Sequence, residues 1–347
     1  MKGIRALKFA GAWYPADIRS LDRIWQKAQL SLHPGGAPPA PASTAFGAVL
    51  PHAGLVYSAA AQLAALQQFS LENSHIILIA PSHYQLLRGY EFFSADISSM
   101  ETPYGNLRVQ LPRNPGGLVR YPLAQRAVED EHAIELLLPG IGALIRGELP
   151  GTAPRKDSEI SSITLEPLLT PRLDLANRDA ARKQIIELGR QLDERIAELE
   201  ARGRKTRIFV SSDYSHYGPR FSHTPAGGLA SSDARRRLRL RDLSVASAAA
   251  AGRWEDALEI MRENVPPSIC GIAGILAFAR FASIRGLSGR LCAYYSSATL
   301  GALDAPAPGG VSEPHPVFNF SGDDVLEEFY DGSQNSVSYC SGVWYES

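Results

Sequence analysis

His75-Ile76-Ile77-Leu78-Ile79-Ala80-Pro81-Ser82-His83 is the stretch whose reading decides the fold. Its apolar core is short, rich in β-branched residues and closed by a proline. That pattern suits a strand buried on both faces, not a half-exposed one. Two further runs repeat it. Residues 46–51 (FGAVLP) lead into Pro51-His52-Ala53-Gly54, and residues 207–212 (RIFVSS) lead into Asp213-Tyr214-Ser215-His216. Between and after these runs lie helical patterns: Ser58 to Phe69, residues 131–146 with a break near Pro139, a long amphipathic stretch over 178–203, then 232–250, 253–264 and 271–285. Residues 290–299 and 336–345 read as strands. Apolar strands alternating with helices predict an α/β domain with a central, largely parallel sheet flanked by helices. Residues 33–43, 148–161 and 302–316 are rich in Pro and Gly and read as loops or insertions inside one domain spanning 1–347.

Composition excludes several function classes. The 35 Lys and Arg residues nearly balance the 36 Asp and Glu residues, whereas nucleic-acid binders carry a basic excess. The basic run Arg235 to Arg241 follows Ser232 and Asp233, a helix-start signal, and reads as a solvated helix face. Three cysteines without framework spacing argue against a disulfide-stapled secreted protein. The opening residues, MKGIRALKFAGAWYPAD, lack an apolar stretch long enough for a signal peptide, and no run approaches the length of a membrane helix. A cytoplasmic protein without a nucleic-acid or membrane partner is expected. There is no Walker A loop, no GxGxxG after a strand, no HExxH, no CxxC and no GxSxG elbow, so standard nucleotide-binding and hydrolase readings lack support.

The chemistry lies at the strand ends. In open α/β sheets the ligand crevice forms beyond the carboxyl ends of the strands. Three buried-strand patterns each deliver a histidine there: His52, His83 and His216, with Asp213 beside the last. One such histidine is more often structural than functional; three together reverse that expectation. Cys270 precedes a strongly helical run, where the helix dipole should favour its thiolate. Two imidazoles and a thiolate suit zinc, iron or copper. Asp213 and His216 are then candidates for acid–base work. His132 is a further candidate, and on a helix it would share a face with Glu135, as a pair aimed at the pocket or as a plain helix-start cluster. Cys292 and Cys340 fall inside strand patterns and read as core residues. His33, His75, His223 and His315 are assigned no role.

The same residues resemble a known family. Phe9-Ala10-Gly11-Ala12-Trp13-Tyr14-Pro15-Ala16, Pro51-His52-Ala53-Gly54-Leu55-Val56-Tyr57-Ser58, Ala80-Pro81-Ser82-His83, Thr102-Pro103-Tyr104-Gly105, Asp130-Glu131-His132-Ala133-Ile134-Glu135, Ser211 to Gly218 (SSDYSHYG), Ile269-Cys270-Gly271 and Ser336-Val337-Ser338-Tyr339 resemble, in order, the blocks of the Memo family. Its bacterial members are called AmmeMemoRadiSam system protein B. The resemblance implies a fold similar to class III extradiol (LigB-type) dioxygenases, with His52, His83 and Cys270 as metal ligands and Asp213 and His216 lining the same pocket. It implies iron or copper, and partners of the AMMECR and radical SAM types. The chain departs from the family blocks at Ala12, Tyr84 and Leu137, where relatives carry Ser, His and, in some members, His. None of these removes an implied ligand. A Cys where the dioxygenases carry a carboxylate changes metal tuning, so ring cleavage does not transfer with the fold.

Three readings follow. The first is a metal-dependent redox or oxygenase-like enzyme acting on a small substrate. The second is a non-catalytic metal-binding or peptide-binding scaffold. The third is a metal-free enzyme with Cys270 as nucleophile and His216 as base.

Overall fold

The computed structural model describes residues 3–33, 44–112, 121–263, 268–300 and 332–346. Its strands are β1 (Gly3–Arg5), β2 (Ala45–Leu50), β3 (Ser74–Ala80), β4 (Ile97–Met100), β5 (Leu107–Arg108), β6 (Thr164–Leu169), β7 (Lys205–Ser211), β8 (His216–Tyr217), β9 (Ser288–Ser296) and β10 (Ser336–Tyr345). Its helices are α1 (Ile18–Leu32), α2 (Leu55–Leu66), α3 (Gln125–Asp130), α4 (His132–Glu135), α5 (Leu138–Arg146), α6 (Asp157–Ser162), α7 (Arg178–Glu200), α8 (Ser232–Ala250), α9 (Trp254–Arg262), α10 (Ile272–Arg285) and α11 (Ser297–Leu300).

The main sheet runs β6-β3-β7-β2-β10-β8, with β9 on β10. Strands β6, β3, β7 and β2 are mutually parallel, and β10 runs antiparallel to β2, β8 and β9. This is the α/β architecture expected from the alternating pattern. The pleat explains the apolar runs. Along β3, Ile76, Leu78 and Ala80 join one core with α1, α2 and α5, while Ile77 and Ile79 join a second core with α7, α8, α9 and α10. Both faces are covered, so the run from Ile76 to Ala80 is apolar throughout. A smaller sheet, β1-β4-β5, lies beside it.

Several local expectations are corrected. Residues 157–162, overlapping the end of the expected loop 148–161, form α6, with Asp157 and Glu159 in its first turn. Residues 297–300 leave the expected strand 290–299 and turn into α11. Helix α2 begins at Leu55, not Ser58, just after Gly54. The break expected near Pro139 falls at residues 136–137, and Pro139 sits in the first turn of α5, where a missing N–H costs nothing. The loop expected at 33–43, apart from His33, and the loop expected at 302–316, with His315, lie outside the described residues. In the basic run on α8, Arg236 and Arg237 are exposed, with Arg237 paired to Asp233 one turn back, as a solvated face requires, whereas Arg235, Arg239 and Arg241 are half-buried. Among the described residues no helix is long and apolar enough to cross a membrane.

Candidate metal centre

The ends of β2, β3 and β7 bring their loops to one crevice. Leaving β2, Pro51 delivers His52, whose backbone N–H donates to Asp213 Oδ1 at 2.7 Å; the Ala53 N–H donates to the same oxygen at 3.2 Å. Asp213 thus pins the β2 loop to the β7 loop. Leaving β3, Pro81-Ser82 delivers His83, whose backbone N–H donates to Glu131 Oε2 at 2.7 Å. His132 opens α4, with Glu131 as the N-cap accepting from the Ala133 N–H at 3.1 Å.

The three imidazoles of His52, His83 and His132 meet. Their ring centroids are 5.2 Å (His52–His83), 5.4 Å (His52–His132) and 4.4 Å (His83–His132) apart. One donor atom from each lies within 4.8 Å of the other two, close enough for a shared ion. Second partners orient them. His52 Nδ1 lies 2.9 Å from Ser211 Oγ, and that hydroxyl donates to Ala133 O at 2.6 Å. The serine proton is committed, so Ser211 accepts from His52 Nδ1–H, and His52 Nε2 keeps its lone pair. His83 Nδ1 lies 2.8 Å from Glu131 Oε1, which assigns its proton likewise. His132 Nδ1 is buried 3.1 Å from the same carboxylate oxygen, within ion-pair range but off the line of a hydrogen bond. Carboxylate–imidazole pairs of this kind orient histidine ligands.

Electrostatics favour a neutral His52. Burial, reinforced by His83, His132 and His216, holds the His52 imidazole well below its ordinary range, so it stays unprotonated. Burial alone would push the Glu131 carboxyl up; the His132 and His83 rings override this and hold it down at about 2. Glu131 is therefore an anion at any working pH. Replacing it with Gln is expected to weaken metal binding about 10- to 100-fold while leaving the fold intact, because an amide cannot orient both rings. Titration with a chromophoric competitor checks this, and unchanged affinity would remove Glu131 from the site.

Cys270 reaches this group through His52. Its Sγ lies 3.4 Å from His52 Nε2 and 3.6 Å from Asp213 O. Gly271 makes that approach possible. A Cβ there would fall 2.4 Å from Ser211 O and 2.5 Å from Ser212 Cβ, so only glycine lets the start of α10 press on the end of β7. The expected easily ionised thiol is not found. Burial, then the Asp213 charge, pushes the Cys270 thiol well up, and the helix end does not offset this. Asp213 is itself buried, which pushes its carboxyl up. His216 stands on β8, with its backbone N–H and its Nδ1 each 3.2 Å from Ser268 O, and its other ring nitrogen is uncommitted among the described residues.

His132 and Glu135 do not pair. His132 faces the other imidazoles, whereas Glu135 points to Arg5, the Lys8 and Phe9 N–H groups and the Tyr14 hydroxyl. The residue that sequence reasoning missed is Glu131, which was visible only as the acid beside His132. His75, given no role, is a buried residue bonded to Thr164 and Glu166, away from the three imidazoles. At the rim, Trp13 packs on His132 with centroids 5.0 Å apart and Tyr84 does so at 5.5 Å, and both keep large exposed faces. Trp13 is held there by the Leu55 N–H donating to its carbonyl at 2.9 Å.

The chain is similar to known proteins over much of its length. Protein MEMO1 of Xenopus tropicalis is 26% identical over 230 residues, and that of Xenopus laevis 27% over 230 residues; each alignment covers 63% of this chain and 65% of the relative. The memo-1 homolog of Caenorhabditis elegans is 28% identical over 225 residues, covering 64% of this chain and 55% of that protein. The chain thus spans somewhat under two thirds of the length of the relatives it matches. The family model described as Memo-like protein matches residues 5–307, which include every strand-end histidine, Cys270 and the Glu131 carboxylate, and the chain belongs to that family.

Proposed function

We propose that the crevice holds a divalent transition metal and supports redox or oxygenase-like chemistry on a small substrate. One observation carries the reading: Ser211 and Glu131 take the Nδ1 atoms of His52 and His83, leaving two Nε2 lone pairs in a converging site. His52 and His83 are the common ligands. Cys270, favoured by the family resemblance, and His132, favoured by the mutual donor distances, compete for the third position. This mixed nitrogen and sulfur set fits iron or copper, and also zinc. A bound redox metal would supply electron transfer and polarise a ligand oxygen. The chain's own residues would do the rest. Asp213 fixes the His52 loop, His216 offers an uncommitted ring nitrogen for proton transfer, and Trp13 and Tyr84 wall the entrance. AMMECR-type and radical SAM partners belong to this proposal through the family resemblance. A cytoplasmic setting does too, and three free cysteines suit a reducing compartment.

A scaffold that binds a peptide or protein is the second reading, and the exposed Trp13, Tyr57 and Tyr84 favour it. The metal-free nucleophile reading has the least support, since Cys270 is a poorly ionised thiol whose neighbouring imidazole is His52 and not the expected base His216. The test is elemental analysis of tag-free protein purified without oxygen, with metal titration of Cys270→Ser and His132→Ala. Stoichiometric metal, weakened far more in one variant than in the other, identifies the third ligand. Metal bound without turnover on any tested substrate selects the scaffold. Failure to bind iron, copper or zinc ends the metal reading.

A further inference from the structure

Asp242 is a fully buried acid on α8, outside the metal crevice. Its Oδ1 accepts from Ser215 Oγ at 2.6 Å, and its Oδ2 accepts from Tyr294 Oη of β9 at 2.9 Å. The Tyr294 hydroxyl also lies 3.3 Å from Ser338 Oγ of β10. The segment that Asp242 grips is Asp213-Tyr214-Ser215-His216. The backbone of that segment is tied to the same strand: Tyr214 N–H donates to Ser338 O at 2.8 Å, and Ser338 N–H donates to Ser215 O at 3.0 Å. His216 then sits opposite Val337 in the β8–β10 pair. One carboxylate therefore joins α8, β9 and β10 to the loop that carries two crevice residues.

We propose that Asp242 is a positioning residue for Asp213 and His216, its carboxylate holding Ser215 and thereby setting the direction of the side chains on either side. A carboxylate can only accept, so both hydroxyls must donate to it. A protonated carboxyl must donate one bond, and one hydroxyl must then turn away. Tyr294 has an alternative acceptor in Ser338 Oγ, so the arrangement has two states and not one. Burial pushes the Asp242 carboxyl up to about 6, against the Ser215, Tyr294 and Ser338 donors. Among the described residues the other titratable groups facing it are Tyr294 on β9, Cys340 on β10 and Tyr214 on the loop; burial pushes each of these up, so they stay neutral there. Asp242 is thus the member of this group that changes charge near pH 6, and the hold on Ser215 changes with it.

The inference rests on reading Asp213 and His216 as crevice residues. Its test measures their placement, so it stands or falls apart from any metal chemistry. Amide spectra of the full chain are recorded from pH 5 to 8 in a His216→Gln background, which removes the imidazole's own titration. The Ser215 and Tyr214 amides are expected to show an inflection near pH 6, and Asp242→Asn is expected to abolish it. In the otherwise unchanged chain, Asp242→Asn should also move the His216 ring resonance while leaving that of His75, at the far end of the sheet, in place. An inflection that survives Asp242→Asn, or an unmoved His216 ring, overturns the proposal. Should Asp242→Asn not fold, Ser215→Ala cuts only the link. The His216 ring must then move, and an unmoved ring again overturns the proposal.

Discussion

A His83→Ala protein is expected to bind iron, copper or zinc more than about a hundredfold more weakly than the unchanged chain, because groups that merely orient a ligand are already worth about 10- to 100-fold. His83 contributes a donor within 4.8 Å of those of His52 and His132, and its ring is half of the Glu131 assembly. Losing it removes a ligand and loosens the orientation of His132 at once. The fold should survive, since His83 is partly exposed and its backbone anchor to Glu131 does not depend on the imidazole. His216→Ala is the control and should retain most of the metal. Competition titration of both variants checks this. Equal losses would make His216 a ligand, and unchanged affinity in His83→Ala would mean that the converging histidines hold no ion.

Glu135→Ala is expected to cost about 3–5 kcal/mol of folding stability, the usual cost of removing one partner from a buried ion pair. Glu135 and Arg5 are both fully buried and 2.9 Å apart. The carboxylate also accepts from the Lys8 N–H, the Phe9 N–H and the Tyr14 hydroxyl. Without it, Arg5 keeps only carbonyl partners at Val128, Glu131 and Ala6, and three further donors are stranded. The exposed pair of Arg182 and Glu255 offers a contrast, worth at most about 1 kcal/mol. Chemical denaturation of Glu135→Ala and Arg182→Ala measures both. A Glu135→Ala cost no larger than that of the surface pair would show that the buried cluster is not what fastens residues 5–14.

The main sheet was legible because burial on both faces forces continuous apolar runs, and β2, β3 and β7 read accordingly. Strand β6 was missed for a physical reason. Its Glu166 and Pro167 argue against a core strand. Glu166 is tolerated because Arg195, from α7, neutralises it and His75 bonds to it, partners that lie far off in sequence. Pro167 is tolerated because β6 ends the sheet path; its outer edge meets only single bridges, at Leu165 and Leu169, on either side of Pro167. Strands β1, β4 and β5 span two to four residues and carry no period to detect. Helix α1 did carry a readable signal, an Asp17 cap followed by an amphipathic run. At the site, the strand-end histidines were legible because crevice position follows from α/β topology. The role of Glu131 was not, because it depends on His83 arriving from another strand. The ionisation of Cys270 was misjudged because helix position is local, whereas burial is a property of the assembled core.

Strand β10 lies between β2 and β9, with Tyr345 opposite Ala45. During synthesis, then, β2 waits with one open edge until nearly all of the described sequence has left the ribosome. Its neighbour β7 can join earlier, but the half-built sheet exposes an apolar, unpaired strand of the kind that recruits wrong partners. The loop bearing Asp213 and His216 is braced by β10 as well, so the crevice cannot form ahead of that strand. A nascent chain halted before residue 336 would be both incompetent at the crevice and prone to aggregate, which couples the maturation of the site to the emergence of β10.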